Sequence, residues 1–140
     1  MNRDPYILEY IINQTEEVCL LAVNKNAYTI RYVKDQTDNI CLGAIKKEPR
    51  AIRQILNQKD EYCNQAIKID PFSIGGIRYP TIEHCLTAIN KNHNVIAELD
   101  CSSLELCMSA AILNPNILKY IKNIKNREQC TAIIEKLIIV

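Results

Sequence analysis

The sequence predicts an all-α fold, an α-solenoid of six tandem 22-residue two-helix repeats behind a leading half repeat, and three observations carry that prediction. Alanine recurs at Ala22, Ala44, Ala66, Ala88, Ala110 and Ala132. Cysteine stands three residues before the first five of them, at Cys19, Cys41, Cys63, Cys85 and Cys107, whereas the sixth copy has Gln129 there and Cys130 beside it. The first five alanines are each flanked by the same pair of helix signals. A code repeated at this period belongs to stacked units that share one continuous core.

The half repeat covers residues 4–13, and full repeats start near 14, 36, 58, 80, 102 and 124 within a single domain over residues 1–140. In four of the repeats helix A opens at a hydroxyl suited to N-capping, Thr15, Thr37, Thr81 or Ser103. Acids then favour the positive helix start: Glu16, Glu17, Asp38, Glu83 and Glu105. Apolar side chains follow at the i, i+3, i+4 spacing of an amphipathic helix, as at Cys19, Ala22 and Val23.

Helix B opens where Asp4-Pro5, Asp70-Pro71 and Asn114-Pro115 place a capping side chain before proline. Asn26 and Asn92 fill the cap slot without proline, and Glu48-Pro49 keeps the proline behind a weaker cap. Apolar residues then recur three apart, as Ile30 and Val33, Ile52 and Ile55, and Ile74 and Ile77. Little room remains for two α-helices and their turns, so helix B is expected to be short and partly 3₁₀. The sixth repeat is expected to have its helix B cut short, which leaves an apolar end over Leu137, Ile138, Ile139 and Val140. That end either folds back on its own repeat or packs against a second copy as a homodimer.

The alanine methyl lets neighbouring A helices approach closely while isoleucine and leucine fill the space between layers. Repeat three breaks the code with Gly75-Gly76 inside helix B and Pro80 at the next helix start. These glycines either bend the array as a tolerated irregularity or open a backbone notch for a partner.

Composition narrows the function classes. With 48% hydrophobic and 24% charged residues the chain buries a real core, and a net charge of +1 gives no field that favours nucleic acid or a membrane. The cysteine spacing follows the helical repeat, and stacked axes about 8–10 Å apart exceed disulfide reach, so the thiols are expected to be reduced core residues in an intracellular compartment. There is no leader peptide and no run of eighteen apolar residues, so a soluble protein without membrane association is expected.

His84 occupies a core-edge slot and His93 replaces a helix-start proline, so both read as structural. No zinc spacing, phosphate loop or nucleophile elbow occurs, and no catalytic residue, metal or cofactor is expected. Cys101 and Cys130 stand outside the cysteine column and are candidates for oxidation.

Acids gather at the start of helix A and bases at its end and on helix B, an arrangement that opposes each helix dipole without any ligand. Curved helical arrays nevertheless use one long face to bind extended partners. The outward candidates on or beside helix B are Tyr28, Arg31, Tyr32, Arg50, Arg53, Phe72, Gly75, Gly76, Arg78, Tyr79, Lys119 and Tyr120, rich in residue types that anchor interfaces. Some rings, Phe72 above all, could instead cover the seam between layers. The expected activity is therefore a non-enzymatic protein–protein interaction scaffold. Self-association through the apolar C-terminus and nucleic-acid binding along the basic edge stand as alternatives.

The phrase QTEEVCLLAVNKNAYTIRYVKDQTDNICLGAI resembles the short α-helical repeats of a family of unknown function found in giant DNA viruses of amoebae and some amoeba-associated bacteria. The likeness is strongest over residues 14–57 and fades after about residue 80. It implies a helical repeat protein of viral origin, acting in the host cytoplasm or packaged in a particle, and brings no catalytic residues.

Overall fold

Each of the first five repeats folds as one α-helix followed by one 3₁₀ helix. The computed structural model describes residues 5–97, 99, 104–122 and 124–138. In chain order these are η1 (Pro5–Tyr10), α1 (Glu16–Lys25), η2 (Ala27–Tyr32), α2 (Asp38–Lys47), η3 (Pro49–Gln54), α3 (Asp60–Ile69), η4 (Pro71–Gly76), α4 (Ile82–Lys91), η5 (His93–Ala97), α5 (Leu104–Leu113), η6 (Pro115–Tyr120) and α6 (Ile124–Ile138). The all-α repeat architecture is of the solenoid type, built from sequential neighbours.

The hydroxyl caps act where they were expected. Thr15, Thr37 and Thr81 accept the N–H of Val18, Ile40 and His84. Lys59 stands in the same slot of the third repeat without a side-chain bond, and Ser103 lies outside the described residues.

A single residue joins the two helices of a repeat. Asn26, Glu48 and Asp70 are extended in backbone, and their N–H groups bond the carbonyls of Ala22, Ala44 and Ala66 to close the α-helix. The same three side chains accept the N–H of Tyr28, Arg50 and Phe72 to open the 3₁₀ helix. Asn92 and Asn114 repeat both bonds. Every helix B the structure describes is 3₁₀ throughout rather than partly so. A 3₁₀ helix rises about 2.0 Å per residue against 1.5 Å for an α-helix, so a short segment carries the chain most of the way back along its partner.

The chain forms two compact units, Met1–Tyr79 and Pro80–Val140. In the first, α1 packs on α2 and α2 on α3, while η1, η2, η3 and η4 follow one another in a second layer. Val23, Ile30, Ala44, Ile45, Ile52, Ala66, Ile67 and Ile74 fill the space between the layers. In the second unit α4, α5 and α6 stack in turn and η5 packs on η6, over a core that includes Ala88, Ile89, Ile96, Cys107, Ala110 and Ile117.

The alanine column is buried at Ala44, Ala66, Ala88 and Ala110, half-buried at Ala22 and exposed at Ala132. The last of these corrects the expectation of a uniform column. In α6 the inward face is rotated, so that Cys130 is buried and Gln129 exposed. The truncated helix B expected there is replaced by continuous α-helix to Ile138. The physical reason is the junction slot, where Lys136 offers no oxygen to cap a new helix and Leu137 takes the place of proline. Pro80, expected at a helix start, instead lies just ahead of the cap residue Thr81.

The first repeat differs in one further respect. Val18 is 37% exposed although its equivalents Ile40, Tyr62, His84 and Leu106 are all buried, and Ile7 of the preceding half repeat is likewise exposed where later repeats bury the slot.

Candidate protein-binding face

The three-residue period of the 3₁₀ helix decides which side chains face out, because residues three apart eclipse one another. In η2 Ala27, Thr29 and Ile30 are buried, which turns Tyr28 and Arg31 to the surface. In η3 Pro49, Ala51 and Ile52 are buried and Arg50 and Arg53 emerge. In η4 burial of Ser73 and Ile74 leaves Phe72 half-buried and Gly75 exposed. The first unit thus carries two parallel rows, Tyr6–Tyr28–Arg50–Phe72 and Glu9–Arg31–Arg53–Gly75.

Several candidates are engaged within the protein. Arg50 Nε donates to Asp70 Oδ2 at 2.8 Å and its guanidinium lies 5.9 Å from the Phe72 ring centroid. The hydrogen bond to Asp70 raises the Arg50 pKa further above its ordinary value. Phe72 therefore covers a seam between repeats. The Tyr32 ring meets Tyr6 edge-on at 6.0 Å and lies under the Arg31 guanidinium at 5.3 Å. Arg78 Nη1 donates to the Leu56 carbonyl at 2.7 Å. In the second unit Lys119 sits 5.0 Å from the Tyr120 centroid.

Arg31 and Arg53 remain exposed with no carboxylate partner among the described residues, and Tyr79 is 90% exposed. The side chains of Leu137 and Ile138, and Ile139 and Val140 altogether, lie outside the described residues.

The two glycines have separate roles. A Cβ on Gly76 would stand 3.1 Å from Ile52 Cγ2 and 3.2 Å from both Cβ and the backbone nitrogen of Arg53, so this glycine permits close approach of η4 to η3. A Cβ on Gly75 would meet nothing within 4 Å. Only Gly75 bares the surface.

Beneath this face lies a feature the sequence reading missed. Gln36 Nε2 donates to the carbonyls of Ile30 at 2.9 Å and Gln54 at 3.2 Å, while its Oε1 accepts from Leu56 N–H at 2.8 Å. Gln14 makes the same three bonds to Leu8, Tyr32 and Lys34, and Gln58 to Ile52, Gly76 and Arg78. Each amide clamps two successive 3₁₀ helices, sharing the carbonyl of Leu8, Ile30 or Ile52 with a backbone N–H and bonding the last carbonyl of the next helix. The available signal was glutamine at the first position of three successive repeats, followed by Pro80, Ser102 and Ile124.

A second set of ties joins the starts of the A helices. Glu16 accepts the Thr37 hydroxyl at 2.6 Å, and Asp38 accepts Lys59 Nζ at 2.7 Å and the Tyr62 hydroxyl. The bond from Lys59, then that from Tyr62, holds the Asp38 carboxyl below the usual carboxylate range. Burial first, then the bond to Asp38, pushes the Tyr62 phenol upward.

Both histidines serve the fold. His84 Nδ1 accepts from Thr81 N–H at 3.2 Å in a capping box, and His93 Nε2 lies 3.2 Å from Asn114 Nδ2. Cys19, Cys41, Cys63 and Cys85 of the column, and Cys130 outside it, are buried free thiols whose pKa values burial raises, and Cys107 of the column is buried as well. Cys101 lies outside the described residues. Among the described residues no cluster of His, Cys, Asp or Glu is arranged to hold a metal ion, and no helix is long and apolar enough to cross a membrane.

Fold and face together define an all-α tandem-repeat protein with two exposed guanidinium groups, Arg31 and Arg53, that have no carboxylate partner among the described residues. No protein-family model, curated protein or solved structure matches the chain.

Proposed function

We propose that the protein is a non-enzymatic interaction scaffold that binds another protein along the 3₁₀ face of its first unit. The observation that carries this reading is the repeated exposure of interface-type residues in slots that the core does not use, Tyr28 with Arg31 and then Arg50 with Arg53. Structural duties account for His84, His93 and the buried thiols, which supports a binding rather than a catalytic role. The resemblance of residues 14–57 to giant-virus repeats suggests a viral protein working in the host cytoplasm or inside a particle.

The test is photocrosslinking from position 28 in an extract of amoebae, with position 46 on the exposed side of α2 as the control. Protein adducts from position 28 that survive nuclease treatment are expected. Adducts equal at both positions would reject the assignment of the face.

Self-association is the second reading, favoured by the exposure of Ile7 on the half repeat and of Val18 and Leu21 on the first repeat. Val18→Lys with Leu21→Lys should then abolish any concentration-dependent increase in mass seen by light scattering. A mass that both proteins keep constant over a hundredfold dilution would discard it.

A further inference from the structure

We infer that the partner segment is an acidic polyproline II strand with carboxylates three residues apart, read by Arg31 and Arg53. This rests on the reading of the 3₁₀ face as the binding surface. Arg31 and Arg53 occupy the same slot of successive 3₁₀ helices, both are exposed, and neither is paired with a carboxylate among the described residues. Packed helices in such stacks lie about 8–10 Å apart. A polyproline II strand has three residues per turn and rises about 3.1 Å per residue, so side chains at i and i+3 point the same way about 9 Å apart. The two periods match.

A β-strand lacks this match, because its residues i and i+3 point to opposite faces. Beside the arginines the parallel row supplies rings: Tyr28, then Phe72 under the Arg50 guanidinium. Aromatic-lined grooves are the usual seat of proline-rich ligands, whose stiffness lowers the entropy lost on binding. Arg31, stacked over Tyr32, is held in place before a ligand arrives.

The ends of the row set its length. Glu9 stands in the equivalent slot of η1 and repels any further anion, which disfavours a continuous polyanion such as RNA. At the other end Gly75 leaves the slot bare with nothing within 4 Å of its would-be Cβ. The face therefore counts two carboxylates.

Fluorescence anisotropy of the full-length protein tests this with labelled peptides: a repeated Glu-Pro-Pro sequence, its Gln-Pro-Pro and Lys-Pro-Pro counterparts, and an alternating Glu-Pro sequence. The Glu-Pro-Pro peptide should bind at least tenfold more tightly than the Gln-Pro-Pro and alternating peptides. Arg31→Glu with Arg53→Glu should reverse the preference to Lys-Pro-Pro. Gly75→Arg, which extends the row, should tighten binding of a peptide with three glutamates but not of one with two.

Equal binding of the alternating peptide, retained affinity in the double variant, or tighter binding of a uridine dodecamer would overturn the inference. So would a failure of Glu-Pro-Pro to bind. In that case crosslinking from position 28 still decides separately whether the face binds protein at all.

Discussion

Replacing Gln36 removes a clamp without touching the apolar core, so the variant isolates what the amides contribute. Three hydrogen bonds are lost, of 2.9, 3.2 and 2.8 Å, to Ile30, Gln54 and Leu56. A net contribution of about 0.5–1.5 kcal/mol each gives about 1.5–4.5 kcal/mol. The rotamer entropy released by a shorter side chain offsets part of that, up to about 2 kcal/mol. We expect Gln36→Ala to cost about 2–3 kcal/mol. In urea unfolding followed by circular dichroism the midpoint should fall with an unchanged slope.

Gln36→Glu sharpens the test. The carboxylate keeps the bond from Leu56 N–H but faces the two carbonyls with negative charge. Its pKa is raised on folding, so the folded state binds more protons and the variant should recover stability as pH falls toward 4. Asn57→Ala, at a neighbouring exposed site, should stay within about 0.5 kcal/mol of the parent. A cost for Gln36→Ala no larger than that of Asn57→Ala would show that water replaces the clamp and refute the reasoning.

Three further outcomes follow from the packing and the charges. Gly75→Ala should stabilise by about 0.4–1 kcal/mol through the unfolded chain, whereas Gly76→Ala should destabilise by about 1 kcal/mol or more because the backbone of Arg53 lies in the way; thermal melts of the pair decide the sign. Ala66→Leu should overpack the stack at a cost of about 1–3 kcal/mol, while Ala132→Leu on the exposed side of α6 should be nearly neutral, as denaturant titration would show. Because the Asp38 carboxyl is depressed, its contribution is present above the ordinary value of about 3.9 and lost as pH falls through the folded value. Asp38→Asn should therefore lose less stability than the parent in acid; parallel slopes below pH 4 would contradict this.

Much of the architecture was readable because the junction residues are chemically explicit. At Asn26, Asp70 and Asn114 the side-chain oxygen announces the start of the 3₁₀ helix, while the same residue's N–H closes the α-helix before it. The 3₁₀ character of helix B was harder to read, since apolar residues three apart, such as Ile30 and Val33, fit either helix type. The rotation of α6 was hidden because Ala132 stands at the right interval while the cap slot has become Lys136. Gln14, Gln36 and Gln58 keep the repeat period but for three copies only, and which backbone groups they bond depends on what the tertiary fold brings near. On the face itself Arg31 and Arg53 stand exposed, but the engagement of Arg50 by Asp70 depends on side chains twenty positions apart.

The amide clamp also acts as a ruler on the gene. Each glutamine grips carbonyls six residues behind it and eighteen ahead, and an N–H twenty ahead. Gain or loss of one residue between the glutamine and the carbonyl ahead misplaces both forward partners at once, and one behind the glutamine misplaces the third. Gain or loss of a whole repeat leaves every clamp with an equivalent set. Where glutamine holds the slot, the array can lengthen or shorten only in whole repeats, and beyond Gln58, where Pro80 takes the slot, that rule relaxes.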